Sequence, residues 1–199
     1  MNQQEKIGQL LTVGGIIGGM VQSGEETAVL KAIAFGGVGG VYVGYPHYRS
    51  PIHARQFIEK LQAAAPTPLF IAADFETGPA YNCEGAAAHL PYFGGLGFID
   101  DPSVTRQAAE ITARQALAMG INWIYSPCVD VNLRPDNPIV GIRAFGATPE
   151  LVSRMGTAFI QACMETGILC TAKHFPGCGN TITDTHIGQA QDVGDLETW

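Results

Sequence analysis

The chain has 199 residues, of which 46% are hydrophobic and 15% charged, and this suits one domain with a full hydrophobic core. Its net charge of −7, from 11 basic and 18 acidic residues, argues against a nucleic-acid partner and against an anionic membrane surface. No apolar run reaches the roughly 18 residues that span a bilayer, and the first residues lack the pattern of a secretory signal. Five cysteines without a Cys-x-x-Cys pair fit a reducing compartment, so we expect a cytoplasmic protein.

Short apolar segments alternate with longer amphipathic ones from the first residues to the last. The short segments predict five strands, over residues 10–13, 41–43, 68–73, 121–125 and 167–172. The longer segments predict helices over about 25–35, 50–65, 104–119 and 148–165. The second of these helices has Ser50 at its N-cap and Pro51 at its first helical position. Long polar loops are expected after the third strand, to about Asp100, and after the fourth strand, to Ala147.

Strict alternation of strand and helix predicts βαβ units and a parallel sheet. The loops after the strands are long and polar, whereas those before the strands are short and rich in glycine, as in Gly36–Gly40. This asymmetry is typical of a (β/α) barrel, whose functional residues lie on the C-terminal rim. A complete eight-fold barrel typically takes about 250 residues. We therefore expect residues 1–199 to form a single partial domain, a TIM-like barrel truncated after about five βα units.

The segment from Lys173 to His186 follows the fifth predicted strand and is rich in ionisable side chains. Asp184 and His186 are two residues apart, so in an extended loop they point to the same side. The carboxylate can then accept the proton of one ring nitrogen and leave the other to exchange a proton with a substrate. The alternative is a surface pair in a polar loop. Lys173 and His174 end an apolar strand, which favours binding of a polar ligand over a solvent-directed lysine beside a core histidine.

Two further candidates follow the third and fourth predicted strands. Asp74 comes directly after the third strand, where a carboxylate on the barrel rim can accept hydrogen bonds from sugar hydroxyls; the alternative is a turn cap. Arg143 lies in the loop after the fourth strand, and its guanidinium group suits a polar ligand. The alternative for Arg143 is an ion pair on the surface.

A metal site is a separate hypothesis. Cysteine and histidine ligands occur at loosely plausible intervals, at Cys170, His174, Cys178 and His186. Their spacing matches no standard zinc pattern, and Cys170 would point away from the rim if Lys173 points towards it. The sequence therefore favours a site without a metal ion.

The segment from Lys173 to His186 resembles the signature KHFPGHGDT-x-x-DSH of family 3 glycoside hydrolases, in the branch of bacterial β-N-acetylglucosaminidases. The same resemblance extends to five earlier segments, namely Lys6–Leu11, Gly37–Val41, Ser126–Asn132, Pro135–Pro138 and Gly141–Gly146. It implies a TIM-like barrel that hydrolyses terminal β-linked N-acetylhexosamine with retention. The implied substrate is a carbohydrate, a glycoside or muropeptide that contains N-acetylglucosamine, as in cell wall recycling.

The resemblance also implies a role for each candidate residue. His186 would be the general acid/base and Asp184 its partner, in place of the carboxylic acid that retaining glycosidases more usually carry. The residues that would hold the non-reducing sugar are Asp74, Arg143, Lys173 and His174. No metal ion or organic cofactor is implied.

This sequence departs from the family pattern at three positions. Cys178 stands where the signature has histidine, and Asn180 where it has aspartate. Asn82 stands eight residues after Asp74, where the family often has arginine. We therefore expect contacts on the aglycone side or the N-acetyl side of the sugar to differ from those of the family.

The nucleophile implied by the resemblance is an aspartate on a later strand, which this chain does not reach before Trp199. Asp192 and Asp195 follow too closely after His186 to be good substitutes. Two alternative functions remain open. One is a phosphorylase, in which phosphate replaces water and meets no repulsion from a histidine acid/base; the other is an inactive protein that only binds sugar.

Overall fold

The computed structural model describes residues 1–14, 23–43, 50–81, 83 and 87–192. Asn82 and Asp195, both considered above, lie outside these ranges. Within them, the chain forms five short strands that belong to one sheet. The strands are β1 (Thr12–Val13), β2 (Gly40–Tyr42), β3 (Phe70–Ala73), β4 (Trp123–Ile124) and β5 (Leu169–Cys170).

Every strand pairs in parallel with the next one along the chain, so the strand order is β1-β2-β3-β4-β5. Sequential parallel pairing places the carboxyl ends of all five strands at one edge of the sheet. The predicted α/β fold, a partial barrel with one βα unit after another, is therefore confirmed. The register is fixed by pairs such as Ala73 with Ile124 and Ile124 with Cys170.

Within the same described ranges, six α-helices connect and flank the strands: α1 (Gln3–Gly8), α2 (Ser23–Ala34), α3 (Pro51–Ala64), α4 (Phe93–Ile99), α5 (Pro102–Met119) and α6 (Pro149–Thr166). Three of them begin in the same way, with a capping side chain followed by proline. The hydroxyl of Ser50 and the carboxylate of Asp101 accept backbone N–H bonds at the starts of α3 and α5, and Thr148 does so for α6. Both α5 and α6 end at a glycine in the left-handed conformation.

The prediction of a loop from the third strand to about Asp100 is wrong, because α4 lies within it. Three of the seven residues of α4 are glycines, which lower the helix propensity of the segment. Packing stabilises the helix instead, since Phe93 is buried and its ring centroid lies 4.8 Å from that of Phe145 and 5.4 Å from that of Phe159. Gly97 permits this approach, because a Cβ atom there would lie only 1.6 Å from the carbonyl oxygen of Phe145.

The hydrophobic core lies between the sheet and these helices. Strand residues such as Val41, Ile71 and Ile124 are fully buried, and so are helix residues such as Ala113 and Met155. Burial of this apolar surface holds the strands in place and so fixes the loops that follow their carboxyl ends. Across the ranges that the structure describes, no helix has the length and apolar character needed to cross a membrane.

Candidate active site

All six predicted site residues line one cavity of about 460 Å³. The segment after β3 contributes Asp74, the turn after β4 contributes Arg143, and the segment after β5 contributes the rest. The other lining residues are Glu76, Pro138, Ile139, Cys178 and Thr185. The structure thus brings the candidates together at the C-terminal edge of the sheet, as a barrel rim requires. Their individual roles stay predictions.

A buried ion-pair network forms the floor of this cavity. Arg143 donates two hydrogen bonds to the carboxylate of Glu76, at 2.8 Å from Nε and 2.6 Å from Nη2. Lys173 Nζ lies 2.8 Å from Glu76 Oε1 and 2.8 Å from Asp74 Oδ1. The Glu76 side chain is only 6% exposed and that of Lys173 13%. The network excludes a solvent-directed lysine and a surface ion pair for Arg143.

The charges in this network stabilise one another. Burial by itself would raise the pKa of Glu76, but hydrogen bonds from Arg143 and the charge of Lys173 outweigh burial and lower this pKa from 4.5 to about 2. Burial would likewise lower the pKa of Lys173, but the charges of Glu76 and Asp74 outweigh it and raise that pKa. Glu76 and Lys173 are therefore both charged at neutral pH.

Asp130, in the loop after β4, organises the other side of the cavity. Its carboxylate accepts hydrogen bonds from His174 Nδ1 at 2.6 Å, from the Cys178 backbone N–H at 2.6 Å and from the Cys128 thiol at 3.2 Å. Burial would raise the pKa of Asp130, but the His174 and Cys178 hydrogen bonds lower it below its ordinary value. The bond to Nδ1 fixes the ring of His174 and leaves its Nε2 3.5 Å from Arg143 Nη2.

The donor atoms of Cys128, Asp130 and His174 lie within 4.8 Å of one another, which makes them the one metal-type group among the described residues. It differs from the set that the sequence suggested. Two ligands on a tetrahedral zinc ion lie roughly 3.3–3.8 Å apart, given bonds of about 2.0–2.3 Å. Here Asp130 Oδ2 lies 2.6 Å from His174 Nδ1 and 3.2 Å from Cys128 Sγ. These are hydrogen-bond distances, so the group orients His174.

The Asp184–His186 pair lies on the outer part of the cavity. Asp184 Oδ1 accepts one bond from the His186 backbone N–H, at 2.9 Å, and a second from His186 Nδ1, at 2.7 Å. These two hydrogen bonds hold the pKa of Asp184 below its ordinary value. The His186 side chain is 78% exposed, and with Nδ1 engaged its Nε2 is the nitrogen that can exchange a proton with a ligand.

Asn137 joins the loop after β4 to the loop after β5. Its Nδ2 donates to the carbonyl oxygens of Cys178, at 2.7 Å, and Thr181, at 3.1 Å. Its Oδ1 accepts from the backbone N–H groups of Ile139, at 3.0 Å, and Val140, at 2.7 Å. A single buried side chain thus holds together two walls of the cavity.

Two of the three departures from the family pattern can be located. Cys178 lines the cavity, and burial and the nearby charge of Asp130 raise the pKa of its thiol, which is neutral at pH 7. Asn180 points elsewhere, since its Nδ2 donates to Asp192 Oδ1 at 2.9 Å and both residues line a different cavity that borders His174. Of these two departures, Cys178 is the one that lines the candidate site.

Sequence reasoning missed Glu76 and Asp130. A signal existed for Glu76, because it is an acidic residue two positions after Asp74 in the same segment after β3. Asp130 follows β4 within a segment that already carried the family resemblance. Their partners are distant in sequence, since Glu76 and Arg143 are 67 residues apart and Asp130 and His174 are 44 apart.

Over residues 3–198 the sequence matches the family described as glycosyl hydrolase family 3 N terminal domain. The chain belongs to this family. A β-N-acetylglucosaminidase/β-glucosidase of Cellulomonas fimi is 32% identical over 199 residues, which is 100% of this chain and 34% of that protein. The predicted family is thus confirmed across almost the whole chain.

Solved structures of similar proteins have the same fold. A β-N-acetylglucosaminidase from Paenibacillus sp. str. FPU-7 gives a TM-score of 0.82 at 32% identity, covering 94% of this chain and 35% of that one. A β-glucoside phosphorylase, BglX, bound to 2FGlc, gives 0.81 at 30% identity, covering 94% and 32%. The chain therefore spans about a third of the length of these relatives.

Proposed function

We propose that the protein, in its full-length form, hydrolyses glycosides of terminal β-linked N-acetylhexosamine with retention, and that the described cavity binds the non-reducing sugar. In this proposal His186 is the general acid/base, and Asp184 holds its ring and stabilises the charged imidazolium. Asp74, Arg143, Lys173 and His174 contact the sugar. The cytoplasmic location and the muropeptide substrate stay predictions.

The observation that carries the proposal is the hydrogen bond of 2.7 Å between His186 Nδ1 and Asp184 Oδ1 beside a cavity lined by polar groups. With its Nδ1–H bound to a carboxylate, a neutral imidazole has its lone pair on Nε2. Protonated His186 can then give a proton from Nε2 to the leaving oxygen, and neutral His186 can later take one from water. Both steps of a retaining reaction need such a group.

The charge balance of the cavity favours a neutral sugar. Three carboxylates, of Asp74, Glu76 and Asp184, line it together with two cations, of Arg143 and Lys173. Both cations are already paired with carboxylates. Carboxylates and cations in fixed geometry still offer acceptors and donors to hydroxyl groups, whereas an anionic ligand would meet a net negative surface.

In this mechanism the nucleophile is the aspartate that the family carries on a later strand. Asp192 does not suit this role, because it lines the cavity that borders His174 and accepts a hydrogen bond from Asn180 there. It is absent from the lining of the candidate sugar cavity. A carboxylate from a later strand would approach the rim from the edge beyond β5.

Turnover of an aryl β-N-acetylglucosaminide by the full-length enzyme tests the proposal. General acid/base groups contribute about 10²- to 10⁴-fold, so His186→Ala should lower kcat/KM by that range, towards its lower end because an aryl leaving group needs little protonation. The matched control is His89→Ala, since His89 is exposed and lies outside the cavity. A His186→Ala enzyme that keeps wild-type turnover would refute the role.

Phosphorolysis is a second candidate, supported by the similarity to a solved β-glucoside phosphorylase. Inorganic phosphate separates the two, because a phosphorylase releases a sugar 1-phosphate and depends on phosphate concentration. The net negative lining of the cavity predicts hydrolysis instead, with N-acetylglucosamine as the product and a rate that does not depend on phosphate concentration. A protein that only binds sugar would bind N-acetylglucosamine but would not cleave the aryl glycoside, with or without phosphate.

A further inference from the structure

We infer that Tyr42 is a positioning residue for sugar binding, acting through the carboxylate of Asp74. The inference rests on the proposed function, in which Asp74 accepts hydrogen bonds from sugar hydroxyls. Tyr42 ends β2, and its hydroxyl donates to Asp74 Oδ2. Among the described residues Tyr42 does not line the cavity, so we assign its effect on a ligand to its hydrogen bond with Asp74.

Asp74 is held at three points, each by a different strand or the loop after it. Its backbone oxygen accepts from the Ser126 hydroxyl, its Oδ1 accepts from Lys173 Nζ at 2.8 Å, and its Oδ2 accepts from Tyr42. Lys173 is shared with Glu76, 2.8 Å away, so the lysine alone leaves the carboxylate free to rotate about its bond to Cβ. The Tyr42 hydroxyl removes that freedom.

The position of the Tyr42 hydroxyl is itself fixed by packing. The Tyr42 ring stacks on that of Tyr125, with centroids 5.5 Å apart and planes at 3°. Tyr125 in turn meets Trp123 edge to face at 5.0 Å, and the Trp123 indole N–H donates to Thr171 Oγ1 at 2.7 Å. These aromatic residues come from β2 and from the β4 region, on the two sides of β3, which leads directly to Asp74.

This arrangement leaves Asp74 with a fixed set of acceptor sites. An ionised carboxylate offers about four lone-pair positions, and Lys173 and Tyr42 take one on each oxygen. The remaining position on each oxygen then points in a set direction, as required to accept two neighbouring hydroxyl groups of one sugar ring. Without the Tyr42 hydroxyl, the Asp74 carboxylate must be ordered when the sugar binds, and this ordering weakens binding.

The test is Tyr42→Phe in the full-length enzyme, which keeps the ring stacked on Tyr125 and removes only the hydroxyl. A hydrogen bond to a charged group is expected to change kcat/KM for an aryl β-N-acetylglucosaminide by about ten- to a hundredfold, with the melting temperature almost unchanged. Tyr92→Phe is the matched control, because Tyr92 precedes α4 without a capping hydrogen bond from its side chain and lies outside the cavity. A wild-type enzyme without turnover would refute the proposed function and not this inference.

A double-mutant cycle separates positioning from packing. In an Asp74→Ala background the hydrogen bond from the Tyr42 hydroxyl to Asp74 is absent, so Tyr42→Phe should lower kcat/KM by less than about twofold there. An equal loss in both backgrounds would mean that Tyr42 acts through packing and would overturn the inference. So would an active wild-type enzyme whose Tyr42→Phe variant keeps kcat/KM within about twofold.

Discussion

Replacing Glu76 with glutamine should destabilise the protein more than any exposed charge replacement of the same kind. The Glu76 side chain is 6% exposed and binds Arg143 and Lys173 at 2.6–2.8 Å. Lowering its pKa from 4.5 to about 2 corresponds to about 3 kcal/mol, at about 1.36 kcal/mol for each pKa unit. Breaking a buried ion pair by removing one partner costs a similar amount, about 3–5 kcal/mol, because the other charge is left uncompensated.

The pH dependence of this loss has a defined sign. The pKa of Glu76 is lower in the folded state, so its stabilisation is fully present above about pH 4.5 and disappears as the pH falls through about 2. The difference in the free energy of unfolding between wild type and Glu76→Gln should therefore be constant from pH 8 to about pH 5. It should shrink steadily below that, since protonated glutamic acid and glutamine are both neutral.

Urea unfolding of the full-length protein, at a series of pH values, measures this difference. The control is Glu59→Gln, because Glu59 pairs with Arg55 at 2.6 Å on the surface, where the side chains are 57% and 50% exposed. Exposed pairs contribute about 0–1 kcal/mol, so this variant should remain close to wild type. The assignment of a stabilising buried carboxylate would be contradicted if Glu76→Gln lowered the free energy of unfolding by less than about 1 kcal/mol. It would also be contradicted if this difference did not change between about pH 5 and pH 3.

Two further substitutions test how the cavity walls are held. Asp130→Asn places an amide N–H against the His174 ring and the Cys178 backbone, which both need an acceptor. The variant should lower the free energy of unfolding by about 1–3 kcal/mol and should raise KM, because His174 is no longer held in place. Urea unfolding equal to that of the wild type would contradict this. Gly179→Ala should abolish most activity, because the added Cβ atom would lie 1.7 Å from the Val131 carbonyl oxygen and must displace the loop after β5. Full turnover of that variant in the aryl glycoside assay would show that the loop position does not matter.

The parts of the fold that sequence predicted well are those set by neighbouring residues. The start of α3 follows from Ser50 at the N-cap before Pro51, and the structure shows the same local pattern at the starts of α5 and α6. The order of strands follows from alternation of strand and helix patterns. Helix α4 could not be predicted in this way, because its glycines oppose helix formation locally and its stability comes from contacts with Phe145 and Phe159, about 50 to 65 residues later.

The same distinction explains the candidate site. Asp74 and Lys173 were predictable as rim residues, because each follows an apolar segment that predicts a strand, and they lie 2.8 Å apart in the structure. The pairing of Glu76 with Arg143 depends on the relative position of two loops that only the folded sheet brings together. The sequence could therefore predict residues that line the cavity, whereas the residues that hold them in place could be identified only from the structure.

The cavity divides into a rigid part and an exposed part, and the division matches the two tasks of the proposed reaction. Glu76 and Lys173 are nearly buried and form ion pairs with several partners. Their side chains are therefore held in one arrangement, and a sugar can bind without the entropic cost of ordering them. The His186 side chain is 78% exposed, and within the described ranges its ring is hydrogen-bonded to Asp184. An acid/base in water has little effect on a bond that it does not contact, because proton transfer needs hydrogen-bond distance. In the proposed reaction, catalysis by His186 therefore depends on a sugar that is already bound to the buried network, which aligns the leaving oxygen with the exposed imidazole.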